Sequence, residues 1–150
     1  MPDVFLSMHC HVAFGTKDGQ PLLRRSVAER LPEQLTAIIS DQGAHLVVSG
    51  IMPDHLHLLV AFSRLTAVDD LVREVKNRSA EFIRNTFPDQ GRFAWQSGYG
   101  AFSVSFSNLE RVRDYLLDQE ELHRERSFQE EFTALLRRHQ LAHDEHFYWW

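Results

Sequence analysis

Lysine is nearly missing from this chain. Only Lys17 and Lys76 stand among its sixteen basic residues, and the other fourteen are arginine, the side chain that forks onto phosphate and stacks on bases. Cysteine is as scarce: Cys10 is alone, which excludes an intramolecular disulfide and makes a reducing cytosol the expected location. The N-terminus lacks a basic region, and its apolar stretch is broken by Ser7, His9 and His11, so no signal peptide is expected. No run approaches the roughly 20 apolar residues of a spanning helix, and no membrane association is expected. Repeats, low-complexity tracts and linkers are absent too, so residues 1–150 read as one domain. A net charge of −5 argues mildly against a phosphate-rich partner, unless the arginines gather on one face.

What is present has the balance of an ordinary globular protein, with 43% hydrophobic and 25% charged residues. Residues 4–14 alternate as a strand, with Leu6, Met8, Cys10, Val12 and Phe14 on one side and Ser7, His9, His11 and Ala13 on the other. A turn-rich connection around Asp18-Gly19 leads to a predicted helix over 26–41, with Ser26 as its N-cap unless Pro32 marks the start. Residues 44–52 and 55–62 are predicted strands joined at Pro53-Asp54. Residues 67–86 carry the clearest helical stripe, from Val68 and Leu71 to Phe82 and Ile83. A glycine- and aromatic-rich loop, a strand over 101–106 and two further helices follow. The helices open at the capping-box spacings Ser107 to Glu110 and Ser127 to Glu130, and the first runs to about His123. The predicted class is therefore α+β: a ferredoxin-like β-α-β-β-α-β antiparallel sheet, helices on one face and the other face open, plus two C-terminal helices.

Two stretches place histidines one residue apart in apolar runs, "SMHCHVAF" (7–14) and "GIMPDHLHLLVAF" (50–62). A strand sends alternate side chains to opposite faces, so His55 and His57 point together while Leu56, Leu58 and Val60 face the helices. Two imidazoles so placed can share one metal ion, although histidines held by hydrogen bonds for structural reasons give the same pattern. On the predicted helix from Asn108 to His123, Tyr115 and Gln119 are i, i+4 neighbours, with Arg111 one turn earlier on the same side. Read alone, they are equally an amphipathic filler and a solvated amide.

Taken together, the motifs are specific. "MPDHLHLLV" resembles the histidine–hydrophobe–histidine signature of the HUH nucleases. "WQSGYGAFSVS" followed by "RVRDYLLDQEELHRERSFQEEF" resembles the single-tyrosine transposases of small insertion sequences, including the REP-associated ones. The similarity runs from Thr16-Lys17 nearly to the C-terminus. It departs at Asp54, where the family often has asparagine.

The resemblance implies that His55 and His57, with Gln119, hold a divalent metal, Mg²⁺ or Mn²⁺, and that Tyr115 is the nucleophile. It implies a substrate of single-stranded DNA with terminal hairpins, cleaved and rejoined through a covalent 5′-phosphotyrosine, and a homodimer. For the dimer, the tail Phe147–Trp150 and the stripe Phe128–Leu136 offer apolar surface. DNA contacts are expected from Arg73, Lys76, Asn77 and Arg84 on one helix face and from Arg92, Trp95 and Tyr99 in the loop, unless the aromatics anchor that loop to the core. His9, His11 and His123 are left without an assigned role. The alternative is a non-catalytic module, since ferredoxin-like sheets also bind single strands without cutting them.

Overall fold

The structure, a computed structural model, describes residues 3–142, so the aromatic tail Phe147–Trp150 lies outside them. Its elements are β1 (His9–Gly15), α1 (Arg25–Asp41), β2 (His45–Met52), β3 (His55–Ala61), α2 (Val68–Thr86), β4 (Gly100–Val104), α3 (Leu109–Leu117), α4 (Gln119–Leu122) and α5 (Phe128–Arg138). The four strands form one antiparallel sheet in the order β2-β3-β1-β4, the expected ferredoxin-like topology, with the two histidine-bearing strands paired at its centre.

Strand alternation sorts the two faces. Cys10, Val12 and Phe14 of β1 and Leu56, Leu58 and Val60 of β3 pack with the buried stripes of α1 and α2 into the main core. Leu31, Leu35 and Ile39 of α1 are fully covered. That burial, about 1.5–3 kcal/mol for each large side chain, carries Pro32 inside α1 despite the hydrogen bond a proline forfeits. The helix starts neither at Pro32 nor behind Ser26. Arg24 is its N-cap, and the Ser26 hydroxyl instead accepts from Arg24 Nε at 2.9 Å.

The opposite face differs from expectation. It is not open: Phe128, Phe132, Leu135 and Leu136 of α5 are buried against Ala13 and Phe102. The stripe considered for dimerisation is thus consumed within the chain. Two glycines let helices reach the sheet here. A Cβ on Gly50 of β2 would lie 2.6 Å from the Leu116 carbonyl oxygen of α3, and one on Gly100 of β4 would lie 2.6 Å from the Phe132 ring.

Boundaries also moved. Residues ahead of His9 are not strand, because the pairing to Ala61 and Val104 begins only there, and Val4, Phe5, Leu6 and Met8 are exposed. The single helix expected to His123 is broken at Asp118 into α3 and α4. Its expected capping box is absent, since Ser107 Oγ meets Ser105 Oγ at 3.0 Å and a 3-10 turn precedes Leu109. The second capping box is present: Ser127 accepts from the Glu130 N–H and Glu130 reaches back.

Candidate active site

β3 carries His55 and His57 on the face away from the main core, both essentially without solvent exposure. α5 brings a residue that the sequence reading did not single out. Glu131 falls on the apolar stripe of α5, between Phe128 and Phe132 on one side and Leu135 on the other, and is fully buried. A lone carboxylate there would cost several kcal/mol, so it must be satisfied by its neighbours.

Its two oxygens divide the work. Oε1 meets His57 Nε2 at 2.9 Å, His123 Nε2 at 3.1 Å and His55 Nε2 at 3.6 Å. Oε2 accepts from the Tyr115 hydroxyl and, at 3.0 Å, from Gln119 Nε2. Gln119 turns its oxygen to the same point, 3.2 Å from His55 Nε2 and 3.0 Å from His123 Nε2. The four residues the sequence singled out, Tyr115, His55, His57 and Gln119, therefore converge on one carboxylate, and His123 joins them.

Each histidine is held from behind. Nδ1 of His55 meets Asp54 Oδ1 at 2.7 Å, Nδ1 of His57 meets His11 Nε2 at 2.7 Å, and Nδ1 of His123 donates to the Arg126 carbonyl at 2.7 Å. Phe128 stacks on His55, with centroids 4.2 Å apart. Asp54, the departure from the family pattern, is thus an orienting partner for His55. His9 lies apart on the rim, tilted against Phe106, with a buried Nδ1 that has no partner among the described residues.

The arrangement fits a metal ion. One ligand atom from each of His55, His57, His123 and Glu131 lies within 4.8 Å of the others, and each imidazole has its second nitrogen engaged, as metal-bound histidines require.

Charge follows the contacts. Burial alone raises the Glu131 carboxyl, but hydrogen bonding and charge from His57, with donors from Tyr115 and Gln119, hold it well below the usual carboxylate range. Burial, reinforced by Glu131, pushes the Tyr115 phenol above its ordinary value, so the hydroxyl keeps its proton. Burial lowers His57 and takes His11 down to about 3, so His11 is neutral.

The residues expected to touch DNA are not brought to this cluster. α2 lies against the other face of the sheet. Arg73 pairs with Asp70 at 2.5 Å, Arg84 donates to the Phe93 carbonyl at 2.8 Å, and Asn77 and Arg92 are exposed. Lys76 donates to the carbonyls of Gln96 and Gly98, both at 2.7 Å, which staples the loop to α2. Trp95 is buried edge-on to Phe14 and Phe93 with Nε1 donating to Ser79 Oγ, and Tyr99 donates to Asp69. The Trp95 ring is thus a core anchor and has no free face for a base.

Comparison with known proteins agrees with this architecture. The family described as "Transposase IS200 like" matches residues 4–119. The chain is 26% identical over 114 residues to the ISDra2 transposase TnpA of Deinococcus radiodurans, spanning 73% of this chain and 81% of that protein. A crystal structure of a candidate transposase from Deinococcus radiodurans R1 superposes with a TM-score of 0.64 at 26% identity, covering 79% of this chain and 95% of that one. The structure of a REP-associated tyrosine transposase bound to a REP hairpin superposes with a TM-score of 0.62 at 11% identity, covering 82% and 73%, a likeness of fold alone. With the paired histidines on the central strand of this sheet and a family match over most of its length, the chain belongs to the IS200-like transposases, single-tyrosine members of the HUH group.

Proposed function

We propose that the chain cleaves and rejoins single-stranded DNA at insertion-sequence ends by transesterification, with Tyr115 as nucleophile. The observation that carries this reading is the meeting of the Tyr115 hydroxyl, two strand histidines and Gln119 at Glu131. Tyr115 Oη bonds to the scissile phosphorus as the bond from phosphorus to the 3′-oxygen breaks, leaving a 5′-phosphotyrosine and a free 3′-hydroxyl. Glu131 Oε2, which accepts the phenol's hydrogen bond, orients Oη for attack; the phenol's proton passes to solvent as the new bond forms, and the departing 3′-oxygen takes one up from solvent. The ester keeps the energy of the cleaved linkage, so rejoining needs no nucleotide cofactor.

His55, His57 and Gln119 would hold a divalent ion, with His123 and Glu131 completing the set. Bound there, the ion supplies Lewis-acid polarisation of the phosphate and stabilises developing negative charge. Three imidazoles and a carboxylate suit Mn²⁺ better than Mg²⁺, which prefers oxygen and water. The substrate would carry terminal hairpins, and two copies of the chain would act together. Such a dimer needs a surface other than the stripe of α5, which is already buried.

Covalent trapping tests the reading. Wild-type protein incubated with single-stranded element-end DNA and Mn²⁺ should give a denaturant-stable adduct, and Tyr115→Phe and His57→Ala should give none. An adduct that persists in Tyr115→Phe removes Tyr115 as nucleophile. Binding without any adduct would favour the non-catalytic module.

A further inference from the structure

The arginines differ in whether a carboxylate meets them. Arg24, Arg25, Arg73, Arg78 and Arg124 each pair with a carboxylate. Arg111, Arg126 and Arg138 have no such pair among the described residues, and these three line one cavity of about 520 Å³ beside Tyr115. That volume is within the range of ligand sites, roughly 300–1,000 Å³. Arg126 is the most committed of the three. Its Nε is buried with no hydrogen-bond partner among the described residues, and its charge acts on the Tyr115 phenol. Such an orphaned donor costs free energy unless an acceptor arrives.

The other side of Tyr115 is opposite in character. Arg111, Tyr115 and Arg126 form a wall shared with a second depression, which is lined by Asp114, Asp118, Glu121 and Glu125. A polyanion is repelled there and attracted into the arginine side. Among the described residues the only carboxylate of the arginine cavity is Glu131, whose oxygens are already engaged by His57, Tyr115 and Gln119. Phe102 and Leu135 give the cavity an apolar wall on which a base or sugar can rest.

We propose that this cavity is the seat of the strand segment adjoining the scissile phosphate, with Arg111, Arg126 and Arg138 receiving its phosphodiesters, so that the single strand approaches Tyr115 from the β4–α5 side only. The assignment rests on the reading of the chain as a single-strand nuclease, and it replaces the face of α2 as the main anionic contact. Arg126 lines the cavity and supplies a guanidinium fork for a phosphate, while Arg111 and Arg138 lie exposed at the cavity and supply the steering field.

The test uses full-length Tyr115→Phe protein, which lacks the proposed nucleophilic hydroxyl, and a fluorescent oligothymidine as probe. Anisotropy titrations across a salt series compare Arg111→Gln, Arg138→Gln and their double variant with Arg25→Gln as control. The double variant should bind about tenfold more weakly and lose about 1.4 from its salt slope, at about 0.7 for each single-strand phosphate contact. Arg126→Lys, which keeps the charge without the fork, should weaken binding by about threefold. Because Arg111 and Arg138 are exposed, their replacement should leave thermal melting unchanged.

Three results would overturn the inference. One is wild-type affinity and salt slope in the double variant. Another is an equal loss in Arg25→Gln. The third is an equal loss toward blunt duplex, which would mark a general electrostatic surface. If the otherwise wild-type chain still forms the tyrosine adduct in those cases, the proposed function survives and the cavity assignment alone falls. If no adduct forms at all, the function itself fails, and the cavity assignment with it.

Discussion

His11 Nε2 stands 2.7 Å from His57 Nδ1, with the two rings stacked at 4.9 Å. Two imidazole nitrogens at that distance share one hydrogen. If the lone pair of His57 Nε2 is to face inward toward a cation, that hydrogen must sit on Nδ1 and be donated to His11. His11 is then the orienting partner of His57, as Asp54 is of His55.

Replacing His11 by phenylalanine keeps a ring in the site but removes the acceptor. The Mn²⁺ dissociation constant, read by calorimetry, should rise by about 10–100-fold. His11→Gln, whose amide oxygen can accept the same hydrogen, should recover much of the loss. Equal affinities in all three proteins would mean that His11 only fills space.

The same residue sets an acid sensitivity. Burial, with the charge of His57, depresses His11 from 6.5 to about 3, so the folded chain keeps it neutral while the unfolded chain protonates it near 6.5. Between those values the unfolded state binds the additional proton, so stability falls as pH falls through that window. Urea midpoints should drop on going from about pH 7 to about pH 4. They should drop less steeply in His11→Phe, and identical slopes would place the sensitivity elsewhere.

Gly50 is where β2 admits α3. Alanine would put its Cβ 2.6 Å from the Leu116 carbonyl and 3.3 Å from Gln119 Cγ, against backbone that cannot yield cheaply. Overpacking of this kind costs about 1–3 kcal/mol, or about 3–10 °C in melting temperature. Adduct yield should fall as well, because the displaced backbone lies between Tyr115 and Gln119. Gly98→Ala, with nothing within 4 Å of its added Cβ, should change neither.

Glu131→Gln keeps the shape of the side chain and removes its charge. Burial is the larger influence holding the Tyr115 proton, and Glu131 adds to it, so the phenol should titrate at lower pH in the variant. Ultraviolet titration, differenced against the matching Tyr115→Phe protein, reads this directly. Mn²⁺ affinity should fall in parallel. A Tyr115 midpoint that stays put would uncouple the phenol from the carboxylate.

The legible parts of the molecule were those with a local signature. Alternation and turn residues were enough to place all four strands and the order of α1 and α2. The spacing of His55 with His57, and of Tyr115 with Gln119, put each pair on a common side before any coordinates. What stayed hidden depends on contacts across the fold. Glu131 looked like one more acid beside Glu130 on a helix rich in charge; only its place three residues after Phe128 and four before Leu135 marks it as inward. The docking of α5 on the second face was equally invisible, because an apolar helix stripe does not name the surface it will meet. Asp118 interrupts the tyrosine helix although no glycine or proline announces a stop there.

The family match ends at residue 119, while the helix that roofs the histidine strands begins at Phe128. One short stretch of chain therefore both shields the second side of the sheet and delivers the acid that gathers the reactive groups. Under the proposed reading, a nascent polypeptide would already hold its phenol and paired imidazoles while lacking the lid that assembles them. Competence to nick DNA would then arrive in a single late step, together with closure of the fold.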